Sequence, residues 1–247
     1  MTTGDPIKSA ARCIAILEFF AEADRSATVG EVARRLGMPQ SSASMLLGSL
    51  VSLGYLRRDA ASRRYQATLR VPLLGRLAAG EVSIVSGLVT GMEEMRVRTR
   101  GSVMLGMRQG VLVRYIVALR GDNTKSEHYV LGALRPVFRV APGKILLAQE
   151  PDAFIGRLLR RANAEEDPAR RLRLADVMAE IARIRAEGWA ESPGGATPGT
   201  SLTSVMLPVP AGQAALSLTL GVPRAEAEAR RDAIIRDLRV LAASVTG

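Results

Sequence analysis

The stretch Thr28–Gln66, TVGEVARRLGMPQSSASMLLGSLVSLGYLRRDAASRRYQ, decides the fold of the N-terminal part of the chain. Thr28 stands before Val29, Val32, Ala33 and Leu36, the i, i+3, i+4, i+7 spacing that lines one face of a helix. Glu31 lies three residues after Thr28, so the two form a capping box, and Gly37 stops the helix. The spacing returns in Ala43, Leu46, Leu47 and Leu50, a helix opened near Pro39 and closed by Gly54. Upstream, Cys13, Ile16, Leu17 and Phe20 repeat it again, with Pro6 placed to open that helix. Two short amphipathic helices joined by a tight turn, with a third before them, make a helix-turn-helix, whose second helix enters a major groove.

The same register identifies the outward face of the second helix. If Ala43, Leu46, Leu47 and Leu50 point to the core, then Ser41, Ser44, Met45 and Gly48 point away, with Gln40 at the entrance. Beyond Gly54, the run Tyr55–Tyr65 carries Arg57, Arg58, Arg63 and Arg64 around Asp59-Ala60-Ala61-Ser62, which predicts two short strands and a turn. Residues 55–70 hold five arginines against the single Asp59, a net charge of +4. An isolated charge run is more often a solvated hairpin; beside a helix-turn-helix it is better explained as a basic wing that holds phosphates.

The rest of the chain sets the frame. With 247 residues, 47% hydrophobic and 23% charged, it is long and apolar enough for packed domains and unlike a disordered chain. A formal charge of +10 suits a polyanionic partner. The excess is almost all arginine, which genome composition also produces. One cysteine, Cys13, excludes an intrachain disulfide and a zinc site of several thiolates. No apolar run is long enough to span a membrane and the N-terminus lacks signal-peptide features, so the expected location is the cytoplasm.

The fold expected of the whole is α+β. Residues 1–70 form the winged helix-turn-helix and residues 71–98 a linker helix region, in which Ile84, Val85, Leu88, Met92 and Met95 keep helical spacing. Residues 99–247 form a second domain. There, Val103, Leu105 and Met107 and then Val111, Val113, Tyr115 and Val117 alternate as two strands around Arg108-Gln109-Gly110. Val205, Leu207 and Val209 with Leu216, Leu218 and Leu220 make a second hairpin around 210–213. Helices near 153–160, 172–186 and 224–245 cover the sheet. Ser217 and Thr219 share the face opposite Leu216, Leu218 and Leu220. By pattern alone, an edge or solvent face explains them; a cavity wall is the sharper alternative.

Catalytic patterns are wanting. Gly143-Lys144 is followed by Ile145 instead of Ser or Thr, with no glycine five residues upstream, so no phosphate loop forms. His128 stands without a second histidine or cysteine for a metal and without a nucleophile elbow. Glu93-Glu94 and Glu165-Glu166-Asp167 diverge on helix surfaces or start helices. No cofactor is expected.

On these residues the chain resembles the IclR family of bacterial regulators. The matching stretches are SAARCIAILEFFAE at 9–22, the 28–66 segment quoted above, APGKILLA at 141–148, IRAEGWAESPGGATPGTSLTSVMLPV at 184–209 and AALSLTLGVP at 214–223. The resemblance implies a dimer or dimer of dimers on palindromic double-stranded operator DNA, and a GAF-like second domain that takes a small organic effector, often a carboxylic acid. It places Gln40, Ser41, Ser42, Ser44 and Met45 at the start of the recognition helix, where a basic residue is commoner than Met45. It places Ala141, Pro142, Gly143, Ser192, Pro193, Leu202, Ser217 and Thr219 around the effector. Pro142 and Ser192-Pro193 depart from the common pattern and imply a different ligand. Two other classes stay open: a metabolite-sensing module acting through protein partners, and a small-molecule enzyme with an accessory N-terminal domain.

Overall fold

Local chemistry builds the N-terminal helices of the computed structural model, which describes residues 7–21, 26–68, 70–73, 82–122, 129–194, 198–209 and 214–244. Pro6, His128 and the 210–213 turn lie outside them. Helix α1 runs Lys8–Ala21, α2 Val29–Arg35 and α3 Gln40–Ser52. The expected capping box is present: the Thr28 N–H donates to Glu31 Oε2 at 2.7 Å and the Glu31 N–H to Thr28 Oγ1 at 3.3 Å. Gly37 ends α2 at φ 61° and Gly54 follows α3 at φ 78°, left-handed conformations that glycine adopts without a Cβ clash. Ile16, Phe19, Phe20, Val32, Ala33, Ala43, Leu47 and Leu50 form the core of this unit.

Strands β1 (Leu56–Arg58) and β2 (Tyr65–Ala67) pair antiparallel as the wing hairpin, Leu56 opposite Ala67. Its turn end is stitched to the start of α2 by Ala27, which exchanges backbone hydrogen bonds with Tyr65 at 3.0 and 2.7 Å. Arg64 adds side-chain bonds to Ser26 Oγ at 3.0 Å and the Ser26 carbonyl at 2.7 Å, and an ion pair with Glu31 at 3.1 Å. A one-turn helix, α4 (Arg70–Leu73), follows, and Arg70 donates to the Leu53 carbonyl at 2.9 Å over the Tyr55 ring. Arg70 thereby satisfies a carbonyl left open at the end of α3.

The second unit begins within α5 (Val82–Thr99). It is a six-stranded antiparallel sheet in the order β5-β4-β3-β8-β7-β6, with β3 Ser102–Gln109, β4 Leu112–Leu119, β5 Leu134–Pro136, β6 Trp189–Pro193, β7 Thr200–Leu207 and β8 Leu216–Pro223. On one face lie α5, α9 (Arg224–Ala229) and α10 (Arg231–Ala243), whose Leu88, Met92, Met95, Leu238 and Leu241 pack with Val103, Leu105, Val205, Leu207, Leu218 and Leu220. The helix expected to link the units thus has its described apolar stripe inside the second unit's own core. The last helix, expected as one piece, is broken at Arg230. On the other face lie α6 (Ala141–Leu147), α7 (Asp152–Ala164) and α8 (Leu174–Glu187), around Ile145, Ile155, Leu159, Ile181 and Ile184.

One strand departs from simple alternation. Leu105 pairs with Val117, whereas Gly106 pairs with Tyr115, so Ile116 is an extra residue in β4. The bulge rotates the strand: Val113 and Tyr115 join the α6 side, and Val117 joins the α5–α10 side. The run Val113, Tyr115, Val117 therefore does not share one face.

Helix α6 lies hard against its neighbours. A Cβ at Gly143 would collide with the carbonyl oxygen of Val137, whereas one at Gly48 in α3 meets nothing within 4 Å. Gly143→Ala is expected to destabilise the second unit by about 1–3 kcal/mol. Gly48→Ala is expected to stabilise the first by roughly 0.5–1 kcal/mol; chemical denaturation followed by circular dichroism measures both. Glu31 provides a pH test. Bonds from the Thr28 backbone and hydroxyl, then the Arg64 charge, hold its carboxyl below the ordinary 4.5. Because the folded value is the lower one, its contribution is complete above the unfolded value and is lost as pH falls through the folded one. Between about pH 6 and pH 3, Glu31→Gln should lose less melting temperature than the wild type.

Candidate nucleic-acid interface and effector site

Helix α3 sorts its side chains cleanly. Ala43, Leu47 and Leu50 are buried, Ser42 and Leu46 half-buried, and Gln40, Ser41, Ser44, Met45 and Gly48 exposed, Met45 by 69%. Among the described residues, Gln40, Ser41 and Ser44 make no side-chain hydrogen bond, whereas Ser49 and Ser52 turn theirs back on the Met45 and Gly48 carbonyls at 3.0 and 3.1 Å. The exposed face therefore offers an amide, two free hydroxyls and a thioether, with no charge. Such groups can read base edges by hydrogen bonding and apolar contact, and leave phosphate attraction to other elements.

The four wing arginines separate into two kinds. Arg57, Arg58 and Arg63 are exposed; Arg57 donates to Gln66 Oε1 at 2.6 Å, and Arg58 sits 5.8 Å from the centre of the Tyr65 ring. Arg63 holds a left-handed φ of 55°, costly for a residue with a Cβ, at the corner where the Asp59 N–H meets the Arg64 carbonyl at 2.9 Å. The Ser62 hydroxyl and N–H, both donating to Asp59, keep that carboxylate below its ordinary range and brace the turn. Arg64, by contrast, is already engaged by Ser26 and Glu31. Phe19, Ser26, Ala27, Glu31, Arg34, Arg35 and Arg64 line an open groove on this unit. Arg34 and Arg35, on the last turn of α2 and exposed, were not singled out by the sequence pattern.

In the second unit the sheet brings together every residue expected around an effector except Pro193, which is exposed at the end of β6. Strand β8 is central, between β3 and β7, so Ser217 and Thr219 lie neither on an edge nor on a solvent face. Register places Thr219 opposite Ser204 and Met104, Ser217 opposite Gly106, Gly221 opposite Leu202, and Leu202 opposite Ser192. Ala141, Pro142 and Gly143 of α6 are buried with them. The hydroxyls bond inward: Ser217 Oγ donates to the Gly106 carbonyl at 3.2 Å, Ser204 and Thr219 share a bond of 2.8 Å, and the Ala141 N–H donates to Ser192 Oγ at 2.9 Å. A Cβ at Gly106 would stand 2.7 Å from Ser217 Oγ and 3.3 Å from Pro142 Cβ, so α6 rests closely on this strip.

Sequence reasoning missed Gly106 and Ser204, which complete these bonds, and two tyrosines in the same cluster. Tyr115 and Tyr129 are buried, with hydroxyls that find no partner. Burial drives the Tyr115 phenol far above its ordinary range, with Arg135 opposing and Tyr129 adding to the rise. The one aromatic residue of a strand that is otherwise aliphatic apart from Arg114 is the signal that was there to find. Lys144 pairs with Glu180 at 2.7 Å, Glu93 with Arg96 at 2.7 Å, and Arg183 sits 5.0 Å from the centre of the Trp189 ring. Among the described residues, no group of three or more His, Cys, Asp or Glu is placed to hold a metal, and no helix is long and apolar enough to cross a membrane.

Comparison with known proteins matches both units. Residues 9–60 match the IclR helix-turn-helix domain, and residues 77–246 match the C-terminal domain of the bacterial transcriptional regulator IclR. The chain is 25% identical over 191 residues to the Pca regulon regulatory protein of Pseudomonas putida, covering 76% of this chain and 65% of the relative. It is 23% identical over 188 residues to the transcriptional regulator KdgR of Dickeya chrysanthemi, covering 76% and 61%. It thus spans less than two thirds of the length of these curated relatives. Among solved structures, an IclR transcriptional regulator from Alicyclobacillus acidocaldarius superposes with a TM-score of 0.67 at 23% identity, over 98% of both chains. An IclR homologue from Microbacterium hydrocarbonoxydans, complexed with 4-hydroxybenzoate, superposes with a TM-score of 0.67 at 18% identity, over 96% of this chain and 97% of that one. With models of both domains matched and more than half the chain covered, the protein belongs to the IclR family of bacterial transcriptional regulators.

Proposed function

We propose that this chain is a sequence-specific DNA-binding regulator that acts in the cytoplasm, as a homo-oligomer on palindromic operator DNA, and not as a catalyst. The observation that carries this reading is the exposed, uncharged face of α3, presented by a helix-turn-helix whose adjacent wing is basic. Base readout falls to Gln40, Ser41, Ser44 and Met45, with half-buried Ser42 at the margin. Met45 offers an apolar contact suited to a thymine methyl group, and the amide and hydroxyls offer hydrogen bonds. Arg57, Arg58 and Arg63 supply the phosphate contacts that give affinity without sequence information.

Arg64 has a different part. Its charge is already shared with Glu31, so its release of counterions from DNA is smaller; its work is to hold the turn end of the wing against the start of α2. The second unit takes a small organic molecule, and its occupancy changes operator affinity. A family member of the same fold holding 4-hydroxybenzoate supports a ligand of that size.

Fluorescence anisotropy with DNA from upstream of the protein's own gene, against a scrambled duplex and across a salt series, tests this reading. Selective, salt-sensitive binding is expected; equal affinity for both duplexes at every salt concentration argues against it. Arg63→Ala should lower the slope of log affinity against log salt by about 1, and Arg64→Ala should lower it less. Ser44→Ala and Met45→Ala should leave the slope unchanged and reduce discrimination at individual base pairs by about 1–3 kcal/mol.

A further inference from the structure

Two buried donors in the second unit stand without acceptors. Tyr115 of β4 is 0% exposed and Tyr129, just ahead of β5, is 1% exposed; neither phenol oxygen has a hydrogen-bond partner. Folded interiors leave few such groups, and each one calls for an explanation. Here two share one cluster, with Met104, Val113, Val137 and Phe138. Neither phenol bonds to the hydroxyls of the strip, where Ser217 Oγ donates to the Gly106 carbonyl, Ser204 and Thr219 share a bond, and Ser192 Oγ accepts from the Ala141 N–H. The main chain that carries Tyr115 is held by its N–H, bonded to the Ala133 carbonyl at 3.0 Å, and by its carbonyl, bonded to the Gly132 N–H at 2.7 Å.

The electrostatics of the cluster select among ligands. Among the described residues, the buried polar side chains are all serines and threonines, and no ionised group is buried. The closest cation to Tyr115 is Arg135, half-buried, 5.9 Å from the centre of the ring and donating to its neighbour's carbonyl, that of Leu134, at 2.6 Å. A carboxylate brought into the cluster would surrender its hydration to phenols and to a half-buried guanidinium that already donates to the Leu134 carbonyl, whereas an uncharged acceptor would need only the two phenols. Burial that holds the Tyr115 phenol protonated keeps it a donor.

Resting on the effector reading above, we propose that the Tyr115 and Tyr129 hydroxyls are the donors that hold the effector. The effector is then an uncharged molecule with an apolar body and carbonyl-type acceptors: an amide, ester or lactone. The site lies beside the Ser217–Thr219 strip, whose own hydroxyls are occupied.

The test uses the full chain as wild type, Tyr115→Phe, Tyr129→Phe and the double variant. Thermal shift and calorimetry are run with benzoate, phenylacetate and cyclohexanecarboxylate, each beside its primary amide and methyl ester. Without ligand, each Phe variant should melt at or above the wild type, because only an unpaired hydroxyl is lost. A single variant melting lower by more than about 3 °C would mean that its hydroxyl is bonded in the free protein, which overturns the assignment. At saturation, a neutral compound should raise the wild-type Tm by about 2–4 °C and bind about tenfold tighter than its parent acid, and the double variant should lose that shift. Acids binding as well as their neutral partners overturn the ligand class. A shift that persists in the double variant overturns the location and leaves the effector reading standing. No shift from any compound, in protein that still binds its operator selectively, overturns this assignment together with the effector reading.

Discussion

The close seat of α6 on the central strands governs the second unit. Gly143 has no room for a side chain beneath Val137, and Gly106 faces Ser217 and Pro142 across a gap that a Cβ would close. Two backbones this near each other exclude water between them, so every polar group at the contact must find a protein partner. The Ser217, Thr219, Ser204 and Ser192 hydroxyls do so by bonding to one another, to the Gly106 carbonyl and to the Ala141 N–H. What reads in isolation as a polar strip available to a ligand is therefore also a fastening, within the sheet through Ser217, Ser204 and Thr219 and between sheet and α6 through Ser192. The buried polar groups left with no bond at all among the described residues are the Tyr115 and Tyr129 hydroxyls.

The first unit solves a different problem with the same economy. Its core of Ile16, Phe20, Val32, Leu47 and Leu56 is small, and the wing is a hairpin of three residues a side, too short to hold its own orientation. Ala27 pairs with Tyr65, and Arg64 ties the hairpin to Ser26 and Glu31, so the wing's position is inherited from the capping box of α2. Arg57, Arg58 and Arg63 stay on the exposed side. Arg63 and Arg64 are neighbours at the turn end of the hairpin, yet Arg63, in a left-handed conformation, is exposed while Arg64 bonds Ser26 and Glu31.

The elements that were legible in the sequence are those whose cause is local. The Thr28–Glu31 box, the glycine stops at 37 and 54, the buried stripe Ala43, Leu47, Leu50 and the two hairpins of the second unit all follow from spacing and capping. Less legible were features that depend on a residue's partner across space. The bulge at Ile116 leaves no mark in a run of β-branched and aromatic residues, yet it moves Val117 to the opposite face from Tyr115. The stripe Leu88, Met92, Met95 declares a helix but not which core it enters. Nor does a cluster of arginines disclose which one meets a carboxylate 33 residues away.

By itself, then, the sequence determined the winged helix-turn-helix, the α+β class of the second unit, the family, and the set of side chains along the outer face of α3. The family rests on resemblance over the quoted stretches; the others rest on periodicity, and periodicity is a property of neighbours along the chain. Only the tertiary structure decided that Arg64 is a fastening, that the Ser217–Thr219 strip is satisfied from within, and that two tyrosine hydroxyls are not. Hydrogen bonding and burial are settled by which groups meet when distant segments pack, and a pairing of Ser204 with Thr219 or Arg64 with Glu31 exists only once the chain has closed on itself.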